Sequence, residues 1–431
     1  MTTADPSLRV IPSAAPIVRE KAAVRDFKPA IGLGVFAVIA ALLFGVGHRA
    51  GQTTFQLSTD SDLIRLPVVV LDVQTVSIIV TIALFIMAGV ALALGYRARK
   101  TPLWLMSLYA FLFLVAFLTW AAVGATIPVP GLLVGAVAVS APLIFGALGG
   151  VISERVGVVN VAIEGQLLAG AFASAVVASI TRQPVAGLVA AIVAGVLVSL
   201  VLAVFSIRYI VDQVIVGVVL NVLVVGLTSF LFSTLLSPNA ALLNTPPRFP
   251  PFPLPILGEI PILGPVLFRQ TVIVYVMYVA VAVVWFALFK TKWGLRLRAV
   301  GEHPQAADTV GINVNRSRFW NVSLAGAIAG FGGAYFTLGS VGAFNKEMTA
   351  GAGFIALAAV IFGQWNPIRA TLAALLFGFA SNLQSVLSIV GSPVPSEFML
   401  MLPYLVTIFA VAGLVGQVRG PAASGKPYIK S

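Results

Sequence analysis

The stretch SERVGVVNVAIEG, residues 153–165, breaks a long apolar sequence with charge, glycine and an amide. A second stretch, GAFNKEMTAGAG at residues 342–353, does the same and leaves only about ten apolar residues behind it, a half-helix rather than a span. Irregular backbone at membrane depth survives only where protein or a water-filled cavity surrounds it. The two breaks therefore predict a helical bundle with a built interior.

The breaks belong to an internal repeat with an offset of 183 residues. Gly149 and Gly150 match Gly332 and Gly333, Glu164 matches Glu347, and Ala169 and Gly170 match Ala352 and Gly353. The same offset carries apolar runs 185–207 and 213–236 onto 368–390 and 396–419. The first half begins by crossing in one direction and the second in the other, which makes the repeat inverted. Inverted repeats place solute near the midplane, where helices are interrupted.

Composition fixes the membrane class. Of 431 residues, 59% are hydrophobic and 9% charged, whereas charged residues make up about a quarter of a soluble domain. The chain has no cysteine, which excludes disulfides, thiolate metal sites and a Cys nucleophile. Apolar runs lie at about 31–47, 73–95, 103–125, 131–152, 158–180, 185–207, 213–236, 271–289, 319–341, 353–363, 371–390 and 397–416. No cleavable signal peptide is evident in front of them.

With the N-terminus inside and a crossing at each run, 20 of the 26 Lys and Arg residues fall inside. That asymmetry predicts both termini in the cytoplasm. Residues 1–29 read as a disordered cytoplasmic tail, 30–125 as a transmembrane extension, 131–236 as the first repeat and 319–416 as the second. Between the repeats, 237–318 holds an external Pro-rich loop, a connecting helix and a charged cytoplasmic loop, and 417–431 forms a cytoplasmic tail. Proline removes donors and blocks propagation, so 238–265 is expected to be non-helical.

The charged loop, KTKWGLRLRAVGEHPQAADTVGINVNRSR at 290–318, carries six Lys and Arg residues. Pro304 suits the first helical position and Gly311 the left-handed residue after the last turn, which predicts a short helix over 304–310. Two turns are unstable alone in water, so this helix needs a partner.

A catalytic reading finds no support, and neither a catalytic nor a metal site is expected. His48 and His303 pair with neither a Cys nor each other, and no HExxH or GxSxG occurs. GPAASGKP at 420–427 fits half of a phosphate-binding loop, but Pro427 follows its Lys and no helix does, so it reads as a flexible basic tail. Asp72, Asp212 and Glu397 each end a run and are assigned to the interface. Glu164 sits in the first break and either faces a cavity or pairs internally with Arg155. The amides Asn160, Asn221, Asn382 and Gln384 suit sugar hydroxyls or base edges, and also join helix to helix. With Glu164, Gly165, Glu347 and Thr349 they make the candidate translocation path. The pairs Gly131/Gly135, Gly146/Gly150 and Gly326/Gly330 read as packing faces.

Four segments carry a family likeness: 146–172, 211–231, 294–316 (GLRLRAVGEHPQAADTVGINVNR) and 348–367 (MTAGAGFIALAAVIFGQWNP). From about Gly131 onward the chain resembles permease subunits of bacterial ABC importers for simple sugars and nucleosides, in the ribose/branched-chain amino acid permease superfamily. The resemblance implies a second permease, the same or related, ATPase subunits holding Mg-ATP, and a substrate-binding lipoprotein or periplasmic binding protein. It implies no cofactor on this chain and no nucleic-acid partner.

It also implies a coupling helix marked E-A-A-x-x-x-G. Gln305, Ala306, Ala307 and Gly311 match with Gln in place of Glu, flanked by Glu302, Pro304 and Asp308. A distant likeness to the cobalamin-importer fold implies a core of about ten helices, counted from the third run. The expectation is thus an all-α integral membrane bundle with an inverted repeat and an N-terminal extension. It is a multi-pass bacterial plasma-membrane permease importing nucleosides or sugars, with an ion-driven secondary transporter as the alternative.

Overall fold

Hydrocarbon offers the backbone no hydrogen-bond partners, so each apolar run satisfies its donors and acceptors internally, as a helix. A computed structural model describes residues 27–47, 49–59, 62, 64–392, 394, 395, 398, 401 and 420–430. The first helices are α1 (Lys28–Ala40), α2 (Val73–Tyr96) and α3 (Leu103–Ala121). Next come α4 (Val129–Arg155), α5 (Ile163–Thr181), α6 (Pro184–Ala203), α7 (Gln213–Leu231) and the short α8 (Ala240–Leu243). The charged loop follows α9 (Val272–Lys290) as α10 (Lys292–Glu302) and α11 (Pro304–Thr309). The chain then forms α12 (Val314–Ala334), α13 (Ala352–Phe362) and α14 (Pro367–Ile389).

Among the described residues, ten helices are long and apolar enough to cross a membrane, which makes this a polytopic all-α membrane protein. α13 is the expected half-helix, with 11 residues. Most of the tail at 1–26, His48, Glu397 and nearly all of the run at 397–416 lie outside the described residues.

Polar side chains cap the starts of several helices. Asp72 accepts from the Thr75 N–H at 2.8 Å, and Asp212 from those of Val214 and Ile215 at 2.9 and 3.0 Å. Both are N-caps at the ends of spans, as their interfacial assignment requires. Caps also shift two boundaries from the apolar pattern. α12 starts at Val314 rather than 319 because Asn313 caps it, and α14 starts at Pro367 rather than 371 because Asn366 does. The Pro-rich stretch corrects the non-helical expectation: its proline-free AALL turns into α8, and Leu257–Glu259 forms one 3-10 turn. Good helix formers fold wherever proline does not intervene.

The extension has a core of its own. α1, α2 and α3 pack around Phe44, Leu84, Tyr109 and Trp120, and meet the remainder through Leu132, Leu383 and Leu387. A small sheet covers one end, with β1 (Gln52–Gln56) paired antiparallel to β2 (Val69–Asp72) and parallel to β3 (Thr126–Pro128). Beyond it, β4 (Pro251–Pro253) pairs with β5 (Arg269–Thr271).

In the rest of the chain the helices pair crosswise. α12 packs on α6 and α5, while α14 and α13 pack on α4. α6 begins at Pro184 and α14 at Pro367, the repeat offset, so each repeat's first long helix crosses the other repeat's third. Small residues allow the contact: a methyl on Gly195 would fall onto the Gly326 carbonyl oxygen, and one on Gly326 onto Ser199. Side-chain removal lets backbones meet where hydrocarbon provides no hydrophobic drive.

The loops that the charge count groups together also meet. On one side, Arg182 reaches the carbonyls of Ala241 and Thr245, Arg248 that of Ser340, and Asp62 pairs with Arg269 at 3.3 Å. On the other, Arg155, the charged loop, the 364–366 turn and residues 420–430 converge.

Candidate functional site: the two helix breaks and the charged loop

The two breaks lock together through one carboxylate. Glu164, in the first turn of α5, is 6% exposed. Its oxygens accept from Thr349 Oγ1 at 2.5 Å and from the N–H groups of Gly351 and Gly353 at 2.9 and 2.6 Å. Gly351, at φ +83°, is the N-cap of α13. Glu164 therefore occupies the start of the half-helix, where unpaired N–H groups and the positive end of the dipole favour an anion. Gly353 has to be glycine, since a methyl there would strike the Glu164 backbone.

Glu164 does not pair with Arg155, one of the two sequence readings. Arg155 ends α4 and is aimed at the turn after α13, where it donates to the carbonyls of Trp365 and Gln364 at 2.9 and 3.3 Å. Those two residues hold positive φ of 52° and 53°. Side chains of this size adopt that conformation only when their surroundings impose it. Beside them, buried Glu154 accepts from the Trp365 indole N–H at 2.5 Å.

The other candidate path residues fall in four places. Asn221 joins the Glu164 node, accepting from the Gly165 N–H at 2.8 Å and donating to the Val161 carbonyl at 2.9 Å. Asn160 is fully buried, and its amide exchanges bonds of 3.1 and 3.2 Å with Gln166, which also reaches Ser199. Asn382 stands apart, donating to the Leu132 carbonyl beside Gly135, and Gln384 follows it on α14. Gly135 lies eleven residues along α4 from Gly146, which faces α13, so helical rise separates the two places by about 16 Å. Glu347, the repeat mate of Glu164, is exposed and caps nothing.

Gln166, Ser199, Glu154 and Trp365 were missed as sequence candidates. A polar residue inside an apolar run was the available signal for Gln166 and Ser199, and a place in the first break was the signal for Glu154. Nothing marked Trp365.

The charged loop folds as two short helices. α11 starts on Pro304 and ends in paired bonds from Gly311 N–H to the Asp308 carbonyl and from Ile312 N–H to the Ala307 carbonyl. Gly311, at φ +84°, supplies the left-handed residue that this closure needs. Ala307 points inward and is 3% exposed, whereas Glu302, Gln305, Ala306, Thr309 and Val310 face outward. α10 rests on the first break, where a methyl on Gly301 would fall onto the Arg155 carbonyl. A cavity of ≈ 720 Å³ opens beside α11 between Trp293, Arg296, Gly311 and Trp320.

Residues 420–430 are not a flexible tail. Ala423 N–H donates to the Gly301 carbonyl at 2.9 Å, and Ala422 N–H to Glu302 Oε2 at 3.2 Å. Buried Arg318 donates to the Lys426 carbonyl at 2.9 Å. Burial and a hydrogen bond to Asp308 hold the Tyr428 hydroxyl above its ordinary pKa. The segment staples α10, α11 and α12 together. Small residues and a glycine at φ +75° let it turn tightly against them, which a reading of its charge alone overlooks. Removing residues 420–431 is expected to speed tryptic cleavage at Arg296 and Arg298 about tenfold or more, as loss of a buried bond to a charged group implies. Timed proteolysis in detergent measures this.

No nucleophile or acid-base pair is assembled at these places. The arrangement offers instead a half-helix held by a carboxylate from the opposite repeat, and a surface loop resting on the same break.

The family described as the branched-chain amino acid transport system permease component matches residues 132–411. Among curated relatives, the guanosine ABC transporter permease protein NupQ of Bacillus subtilis is 43% identical over 68% of this chain and 94% of its own length. The nucleoside ABC transporter permease protein NupC of Lactococcus lactis is 40% identical over the same shares. The putative glucose ABC transporter permease protein TsgC13 of Haloferax volcanii is 36% identical over 59% of this chain and 77% of its own length. No solved structure matches the chain. The match begins at Leu132, so α1 to α3 lie outside it, while both breaks, the Glu164 cap and the charged loop lie within it. The chain thus belongs to the branched-chain amino acid transport system permease component family, as a permease subunit of an ABC importer.

Proposed function

We propose that this importer subunit takes up nucleosides, driven by ATP hydrolysed on separate ATPase subunits that dock on α11. The observation carrying the solute class is the pair of likenesses, at 43% and 40% identity, to permeases named for guanosine and for nucleosides. The likeness to a putative glucose permease keeps simple sugars as the second reading.

In this reading both termini and the charged loop face the cytoplasm of the bacterial plasma membrane, as the distribution of basic residues favours. A second permease completes the pore and an extracytoplasmic binding lipoprotein delivers the solute. Movement of the docked ATPases presses on α11 and α10. Gly301 transmits it to the Arg155 carbonyl, and Arg155 to the turn between α13 and α14. The half-helix capped by Glu164 is then displaced relative to the other repeat. Rigid-body rocking of two repeats about a fixed site is the usual form of such transport.

The test is uptake of labelled guanosine and glucose by cells expressing the chain with its neighbouring ATPase and binding-protein genes. Guanosine uptake is expected to stop on ATP depletion and to persist with a protonophore. Uptake that survives ATP depletion and collapses with the protonophore would refute ATP coupling. Glucose uptake without guanosine uptake would move the solute to sugars.

A further inference from the structure

A second cavity, of ≈ 590 Å³, lies where two membrane spans end and the staple passes over them. Arg208, the last residue of the span Pro184–Arg208, lines it. Arg316, two residues into the span Val314–Val341, lines it too, and Lys430 reaches it from the staple. No carboxylate is among its lining residues, and among the described residues none of these three cations has an ion pair. Asn315 and Tyr428 add polar groups to the lining, and the rest of the wall is apolar, with Ile207, Ile210, Phe319 and Ile429. The position of the staple that carries Lys430 is built in, because Arg318 holds the Lys426 carbonyl and the Ala423 and Ala422 N–H groups donate to the Gly301 carbonyl and to Glu302.

We propose that this cavity binds the headgroup of an anionic phospholipid, with its phosphodiester among Arg208, Arg316 and Lys430 and its first acyl carbons along Ile207 and Phe319. Three cations around a pocket concentrate positive potential at the level where spans leave hydrocarbon, the place of lipid phosphates. A soluble phosphate would satisfy the charges and leave the apolar wall unused. An acidic segment of a partner protein would not need a wall continuous with two spans. The site concerns the lipid around the permease and is independent of its solute.

Native mass spectrometry of the full chain in detergent tests this with phosphatidylglycerol, phosphatidylcholine and glycerol phosphate. Each basic residue near a membrane surface contributes roughly fivefold, so the first phosphatidylglycerol is expected to bind on the order of a hundredfold more tightly than phosphatidylcholine. The triple variant R208Q/R316Q/K430Q is expected to lose that preference, and R208K/R316K to keep it. Should the triple variant fail to fold, R208Q alone reads the same preference, with an expected drop of roughly fivefold. Unchanged phosphatidylglycerol preference in these variants would overturn the proposal. So would glycerol phosphate competing as well as the lipid, which would make this a small-anion site. Loss of ATPase co-purification in R208Q with lipid binding intact would overturn it in favour of a docked protein.

Discussion

Glu164→Ala is expected to abolish uptake and to lower the melting temperature of the purified chain, whereas Glu347→Ala, its repeat mate, leaves both near wild type. The Glu164 carboxylate accepts three bonds at 2.5 to 2.9 Å, two of them from the first N–H groups of α13. Removing it leaves those donors buried without acceptors, at about 1.5–3 kcal/mol for each bond to a charged group. The total is partly relieved if water enters the gap, so a loss on the order of 3–6 kcal/mol is expected, a large share of ordinary protein stability. Glu164→Gln restores one acceptor and sets an NH₂ against donors, which places it between wild type and alanine. Glu347 is exposed on a turn, where substitutions usually change stability by less than about 0.5 kcal/mol. Melting in detergent, read by fluorescence-detected size exclusion, separates the pair. Equal effects at the two positions would remove Glu164 as the lock between repeats.

Much of this was legible in the sequence, for physical reasons that can be named. Spans were visible because hydrocarbon demands long apolar helices. α13 was visible as a half-helix because its apolar run is too short to cross, and α11 because Pro304 and Gly311 have steric preferences that need no tertiary context. The role of Glu164 was only half visible. Its place in the break was evident, but its partner lies 185 residues or more away, and the near Arg155 was the natural guess. That arginine turned out to serve carbonyls at 364 and 365 instead. The staple at 420–430 was read as loose because its composition is small and basic. What orders it is a set of backbone bonds to Gly301, Glu302 and Arg318, which composition does not reveal. The short strands β1 to β3 escaped for a similar reason, since pairing between distant loops leaves no periodic trace in five or fewer residues.

Ala306→Arg and Val310→Glu are expected to reduce uptake to background and to strip the ATPase subunits from the purified permease, without changing its melting temperature. Both residues face outward from α11, and Val310 is 74% exposed, an apolar side chain at the tip of a charged loop that none of the described residues covers. A charge driven into the centre of a docking contact costs about 2–4 kcal/mol, which is roughly 30- to 1000-fold in affinity. Ala307→Arg must behave differently, although Ala307 matches the same motif. It is 3% exposed and sits in the core that joins α11 to α10 and α12, so a charge there costs several kcal/mol of folding and the loop opens. The diagnostic is therefore the pair of readouts taken together. Loss of ATPase with an unchanged melt at position 306 or 310, and loss of both at 307, places the docking face on the outward side of α11. Uptake and co-purification that survive Ala306→Arg and Val310→Glu together would move that face elsewhere on the chain.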